Sequence, residues 1–156
     1  MADGLGPATS FMSVETFEFV DANVLVYAFD ASAGKKKAAA EHLLGNLWQR
    51  GTGCLSVQVL QEFFVTVTAK VAQPLSSDEA ADRIRELATW KVFAPTSDDV
   101  LAAIALHKQA RLSFWDAMVV HAAAELGCDM VWTEDLNDGQ VIRGVQIRDP
   151  FMAEPS

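Results

Sequence analysis

The chain has 156 residues, 51% of them hydrophobic and 21% charged, a balance that excludes a disordered protein and suits one domain burying about two thirds of its unfolded surface. Twelve Lys and Arg stand against 21 Asp and Glu, and the net charge of -9 excludes a protein that grips nucleic acid through a broad basic surface. The same balance permits a cluster of carboxylates that awaits a cation, or a basic partner segment.

Residues 1–15 carry Gly, Pro and Ser but neither a basic start nor an unbroken apolar centre, so they read as a loose leader rather than a secretory signal. Residues 16–150 read as one domain and 151–156 as a tail. No run approaches the roughly 20 apolar residues of a membrane span. Cys54 and Cys128 stand in apolar surroundings without metal-site or redox spacing, which fits small core residues in a reducing cytoplasm.

The first element is an apolar run of strand character from Phe17, interrupted by Asp21-Ala22-Asn23 and resumed through Tyr27. Asp21 is the only charge between Glu18 and Asp30. Among Val, Leu and Phe an ionised carboxylate is unfavourable unless a cation or donors compensate it. The end of a buried strand is also where open α/β sheets bind ligands. The plainer alternative is that Asp21 caps a following helical turn.

Lys35-Lys36-Lys37 then leads into an amphipathic helix through Trp48, ended by Gly51 and Gly53. The lysine run is a solvated face or, together with Arg111, the best place for phosphate contact. After a short apolar segment ending at Leu55, Ser56 caps a helix over 57–71 whose stripe is Leu60, Phe63, Phe64, Val67 and Val71. Glu62 lies off that stripe and is the only charge between Arg50 and Lys70. A solvated helix face carries several charges, so a solitary Glu marks a face turned toward a site.

Ser76 to Glu79 reads as a capping box opening a charged helix through Leu87. A short strand over 90–94 and a helix over 100–109 follow, with His42 and His107 at exposed positions. Ser113-Phe114-Trp115-Asp116 opens a helix to about Leu126 in which Asp116 is the only formal charge between Arg111 and Glu125. Asp116 suits a capping box, and a site role at a helix N-terminus is compatible with that. His121 reads as structural. Cys128 to Thr133 is a strand that runs into the acidic loop Glu134-Asp135-Leu136-Asn137-Asp138, and 146–148 adds a last short strand. Alternating strands and helices point to a mainly parallel sheet covered on both faces.

Converging acids of this kind repel by roughly 4 kcal/mol per pair at about 4 Å, and an all-oxygen set suits a hard divalent cation. In motif order, Phe19-Val20-Asp21-Ala22-Asn23, Gln61-Glu62-Phe63, Ser113-Phe114-Trp115-Asp116 and Thr133-Glu134-Asp135-Leu136 resemble the PIN-domain family, and within it the VapC-like toxins of bacterial toxin–antitoxin pairs. The resemblance runs from Phe17 to about Arg148. It implies an α/β/α three-layer sandwich with a mainly parallel central sheet, and an endoribonuclease that uses Mg²⁺ or Mn²⁺. It assigns Asp21, Glu62, Asp116 and Asp135 as metal ligands and catalytic acids, with Asn23 and Thr133 as polar supports. Asp138 matches no family acid. The implied partners are an RNA substrate, a cognate antitoxin and a second copy of the chain. An acid-nucleophile phosphatase fits less well, because Asp21-Ala22-Asn23 lacks the second Asp. The alternative is a non-catalytic PIN-like or receiver-like Mg²⁺-binding interaction module.

Overall fold

The computed structural model describes residues 16–152; the expected leader and most of the expected tail lie outside them. In chain order the elements are β1 (Phe17–Val20), α1 (Ala22–Ala28), α2 (Lys35–Arg50), β2 (Gly53–Ser56), α3 (Val57–Ala69), α4 (Ser77–Leu87), β3 (Lys91–Phe93), α5 (Ser97–Ala110), α6 (Phe114–Glu125), β4 (Cys128–Trp132), β5 (Val141–Ile142) and β6 (Val145–Arg148). The strands form one sheet in the order β3-β2-β1-β4-β6-β5. All neighbours are parallel except β5 and β6. Helices α1 to α4 pack side by side, α5 packs on α6, and the two groups complete an α/β/α three-layer sandwich.

This order has one functional consequence. From β1 the chain builds outward through β2 to β3, then returns to place β4 on the opposite side of β1. The carboxyl ends of β1 and β4 therefore bound the crevice at which the winding reverses, the standard ligand position in an open α/β sheet.

Phe19, Leu55, Phe63, Val131 and Ile147 are fully buried between the layers, each contributing about 1.5–3 kcal/mol through removal of apolar surface from water. The resumed apolar run after Asp21 is a helix despite its valines. Val24, Leu25 and Val26 are all buried there, so packing overrides their weak helix preference. Helix α6 is buried almost all round, from Ala117 to Ala123, which accounts for the absence of charge on either side of Asp116. Gly53 opens β2 rather than ending α2; a side chain there would lie 2.6 Å from the Trp90 indole.

Helix α3 departs from its expected stripe. Val59, Phe63 and Val67 face the core, while Phe64 is exposed and Leu60 and Val71 are only partly buried. The two-residue strand β5 was not expected. It joins β6 through Arg143 and Gly144, whose φ values of 54° and 79° give the two-residue hairpin loop that favours positive φ at both positions. Cys54 and Cys128 are free and buried, as expected of core residues. Phe151, at the start of the expected tail, packs edge-on against Tyr27. Among the described residues no helix is long and apolar enough to cross a membrane.

Candidate active site

Asp21 leaves the carboxyl end of β1, and the capping expected as the plainer alternative is present. It is the N-cap of α1, with Oδ1 accepting from the Ala22 amide at 2.7 Å. Its Oδ2 accepts from the Thr133 hydroxyl at 2.8 Å. The residue is only 5% exposed. Burial pushes its carboxyl from 3.8 up to about 7, with the nearby Asp135 and Glu62 charges adding to the rise and the Thr133 and Ala22 donors opposing it.

Thr133 follows β4 and is fully buried. Besides donating to Asp21, its oxygen accepts from Asn23 Nδ2 at 3.2 Å and from the Asp135 amide at 3.1 Å. Asn23 Nδ2 also donates to Asp135 Oδ2 at 3.0 Å. Asn23 and Thr133 thus hold the loop after β4 against the start of α1, and fix where the Asp135 carboxylate stands.

Asp116 sits in the first turn of α6. Its amide donates to Ser113 Oγ at 3.0 Å, so Ser113 is the cap, but the Asp116 carboxylate is not bonded back to the Ser113 backbone as a full capping box requires. That leaves the carboxylate to face the crevice. Burial raises its pKa, with the Ser113 hydroxyl opposing and the Asp135 charge adding to the rise.

One carboxylate oxygen from each of Asp21, Asp116 and Asp135 lies within 4.8 Å of the other two. An octahedral ion with bonds of about 2.0–2.1 Å would space its ligands roughly 3 to 4 Å apart, so the three acids fit a Mg²⁺- or Mn²⁺-sized ion with slight contraction or with bridging water. Their donor chemistry is all oxygen, which suits hard cations over zinc.

Glu62 stands outside this triple and joins it through an open cleft of about 620 Å³ lined by Asp21, Asn23, Glu62 and Asp135. Desolvation raises its pKa, Gln58 opposes, and the charges of Asp135 and Asp116 push further upward. The solitary Glu does therefore face the cleft. The lack of charge around it has a second cause: Val57, Phe64 and Val65 make the outer face of α3 an exposed apolar patch, and Gln61 and Val65 lie between that patch and the cleft.

Of the lysine run, Lys35 is exposed, while the other two are partly exposed and paired with acids. Lys36 Nζ pairs with Glu134 Oε2 at 2.9 Å and lies 4.7 Å from the Tyr27 ring centroid; Lys37 pairs with Glu41. Asp138 accepts from Arg148 Nε and the Asp149 amide, a structural role. His121 joins Asp99 at 2.8 Å, tying α6 to the first turn of α5, also structural. Tyr27, Thr66 and Lys70 line the cleft and carried no sequence signal of their own. Glu62, Thr66 and Lys70 recur every four residues, a spacing that places them on one helix face once Glu62 is taken as the reference.

The mainly parallel sheet, with Asp21, Asp116 and Asp135 gathered at its winding reversal, defines an α/β domain with a cluster of acids that could hold a cation. Residues 19–139 match the PIN domain, and the chain belongs to the PIN-domain family. Among curated proteins none matches it. Solved structures share the fold at low identity. A toxin–antitoxin complex from Klebsiella pneumoniae is 19% identical with a TM-score of 0.63, covering 86% of this chain and 98% of that one. FitAB bound to an IR36 DNA fragment is 15% identical with a TM-score of 0.63, covering 89% and 99%. VapC20 of Mycobacterium tuberculosis, a toxin that cleaves the sarcin-ricin loop, is 20% identical with a TM-score of 0.56, covering 73% and 86%.

Proposed function

We propose that this protein is a divalent-metal-dependent endoribonuclease and the toxin of a toxin–antitoxin pair. The observation that carries the reading is the convergence of Asp21, Asp116 and Asp135, from three separate elements, to within 4.8 Å. Left uncompensated, such an arrangement destabilises the fold; three segments positioned to create it make sense as a cation site. Asp21, Asp116 and Asp135 would hold Mg²⁺ or Mn²⁺, directly or through water, with Asn23 and Thr133 fixing the Asp21 and Asp135 carboxylates. The ion supplies charge neutralisation at phosphate oxygens and a more acidic water.

Glu62, which lines the same cleft and whose pKa is raised by burial, would take the proton of the attacking water as the oxygen bonds to phosphorus. The opposite P–O ester bond breaks, and the leaving ribose oxygen takes a proton from solvent. The partner in this reading is an antitoxin whose basic segment reaches the acidic cleft, complementing the net charge of -9. One of the fold relatives is itself a toxin–antitoxin complex. A homodimer is the expected assembly. Mapping the RNA ends that appear when the protein is expressed, with and without Asp116→Asn, tests the reading. New 5′ ends that depend on Asp116 support it, and identical end profiles overturn it.

A further inference from the structure

We propose that Lys70 is the substrate-binding residue that holds the RNA phosphate flanking the scissile one, an inference that rests on the nuclease reading above. Among the described residues, the cleft that contains Asp21, Glu62 and Asp135 has a single basic residue in its lining, Lys70, at the C-terminal end of α3. Elsewhere about half of the cations are committed, and the unpaired Lys35, Lys91, Lys108, Arg111 and Arg143 do not line the cleft. Lys36, Lys37, Arg50, Arg83, Arg85 and Arg148 all form ion pairs with acids of the chain, while among the described residues Lys70 forms none. A protein of net charge -9 repels a polyanion, and a cation at the three aspartates neutralises that repulsion only locally. A free ammonium in the same cleft is the second attractive point that a strand needs in order to lie in one direction.

The spacing fits. Lys70, the C-cap of α3, is eight residues after Glu62, about 12 Å along the helix axis at the α-helical rise, and both residues line the cleft. The carboxylates thus act on one phosphate while Lys70 reaches an adjoining one. Val65 lines the same cleft and is half exposed, which offers apolar surface to a base between the two.

The test compares wild type, Lys70→Gln, Lys70→Arg and, as a control on the opposite helical layer, Lys108→Gln. Steady-state cleavage of a short fluorescein-labelled single-stranded RNA of mixed sequence is measured in Mg²⁺, and anisotropy of the same RNA is followed in EDTA over a salt series. Lys70→Gln should raise KM about five- to tenfold, leave kcat within about twofold, and reduce the salt slope of binding by about 0.7, the value for one lost phosphate contact on a single strand. Lys70→Arg should restore most of the binding, and Lys108→Gln should match wild type. An unchanged KM and salt slope in Lys70→Gln would overturn the proposal while leaving the nuclease reading intact. Wild type that binds through Lys70 but never cleaves would sink the nuclease reading instead. Absence of both binding and cleavage would remove both.

Discussion

Thr133 Oγ1 donates to Asp21 Oδ2 across 2.8 Å, joining the carboxyl ends of β1 and β4, the two strands between which the sheet reverses its winding. The same oxygen accepts from Asn23 and from the Asp135 amide, so one buried hydroxyl organises both the strand-end acid and the loop acid. Thr133→Val keeps the shape and removes the hydroxyl. It should destabilise the fold by about 1–3 kcal/mol, because the buried Asp21 carboxylate and two partly buried groups lose a partner, and Thr133→Ser should recover most of that. A urea midpoint in Thr133→Val equal to wild type would contradict this account of the site.

Asp21 makes stability without metal depend on pH. Folding raises its carboxyl from 3.8 to about 7, so the folded chain binds that proton more tightly than the unfolded one. The resulting contribution is complete below the unfolded value and is lost as pH rises through about 7, on the order of 4 kcal/mol in all. In EDTA, Asp21→Asn should therefore flatten the fall in stability across that window and exceed wild type at about pH 8. Urea unfolding at several pH values checks the sign. A wild type that gains stability from acid to neutral pH through Asp21 would refute it.

Lys36 serves the loop rather than the substrate. Its pair with Glu134 is partly exposed, with the Lys36 side chain 44% accessible, and such pairs contribute less than about 1 kcal/mol. Lys36→Ala should shift the melting temperature slightly and leave the salt slope of RNA binding unchanged. A slope reduced as far as that of Lys70→Gln would return the lysine run to the RNA path.

The acids were legible because each interrupts an apolar stretch or follows a strand, and charge in such a setting demands an explanation. Their number along the chain gave no distances, however. Only the winding order brings the Asp21 and Asp135 ends together, and Glu62 remains outside the closest triple. Lys70 was silent because one exposed lysine at a helix end is ordinary; only the cleft makes it distinctive. Phe64 misled because helical periodicity identifies a stripe but not which neighbours arrive to cover it. Helix α1 was obscured for a related reason, since valines read as strand until the Asp21 cap and the buried face outweigh their local preference. The brief β5 carries too few residues to show alternation.

Assembly is checked in solution. Size-exclusion chromatography with light scattering should give twice the chain mass at micromolar concentration, and co-purification from the native host should recover a small basic-tailed partner. A monomer alone across that range would remove the dimer, and repeated failure to recover a partner would remove the antitoxin.

The most direct measurement is cleavage by Asp116→Asn beside metal titration of the same variant. Asn retains the backbone donation to Ser113 and the helix start, so the fold should survive, and without metal its stability should equal or exceed wild type because a charge beside Asp135 has gone. RNA cleavage in Mg²⁺ should nonetheless fall by at least about a hundredfold, with weaker metal binding to match, and wild-type cleavage should cease in excess EDTA. Full cleavage by Asp116→Asn, or wild-type cleavage that persists in EDTA, would contradict the metal-dependent mechanism.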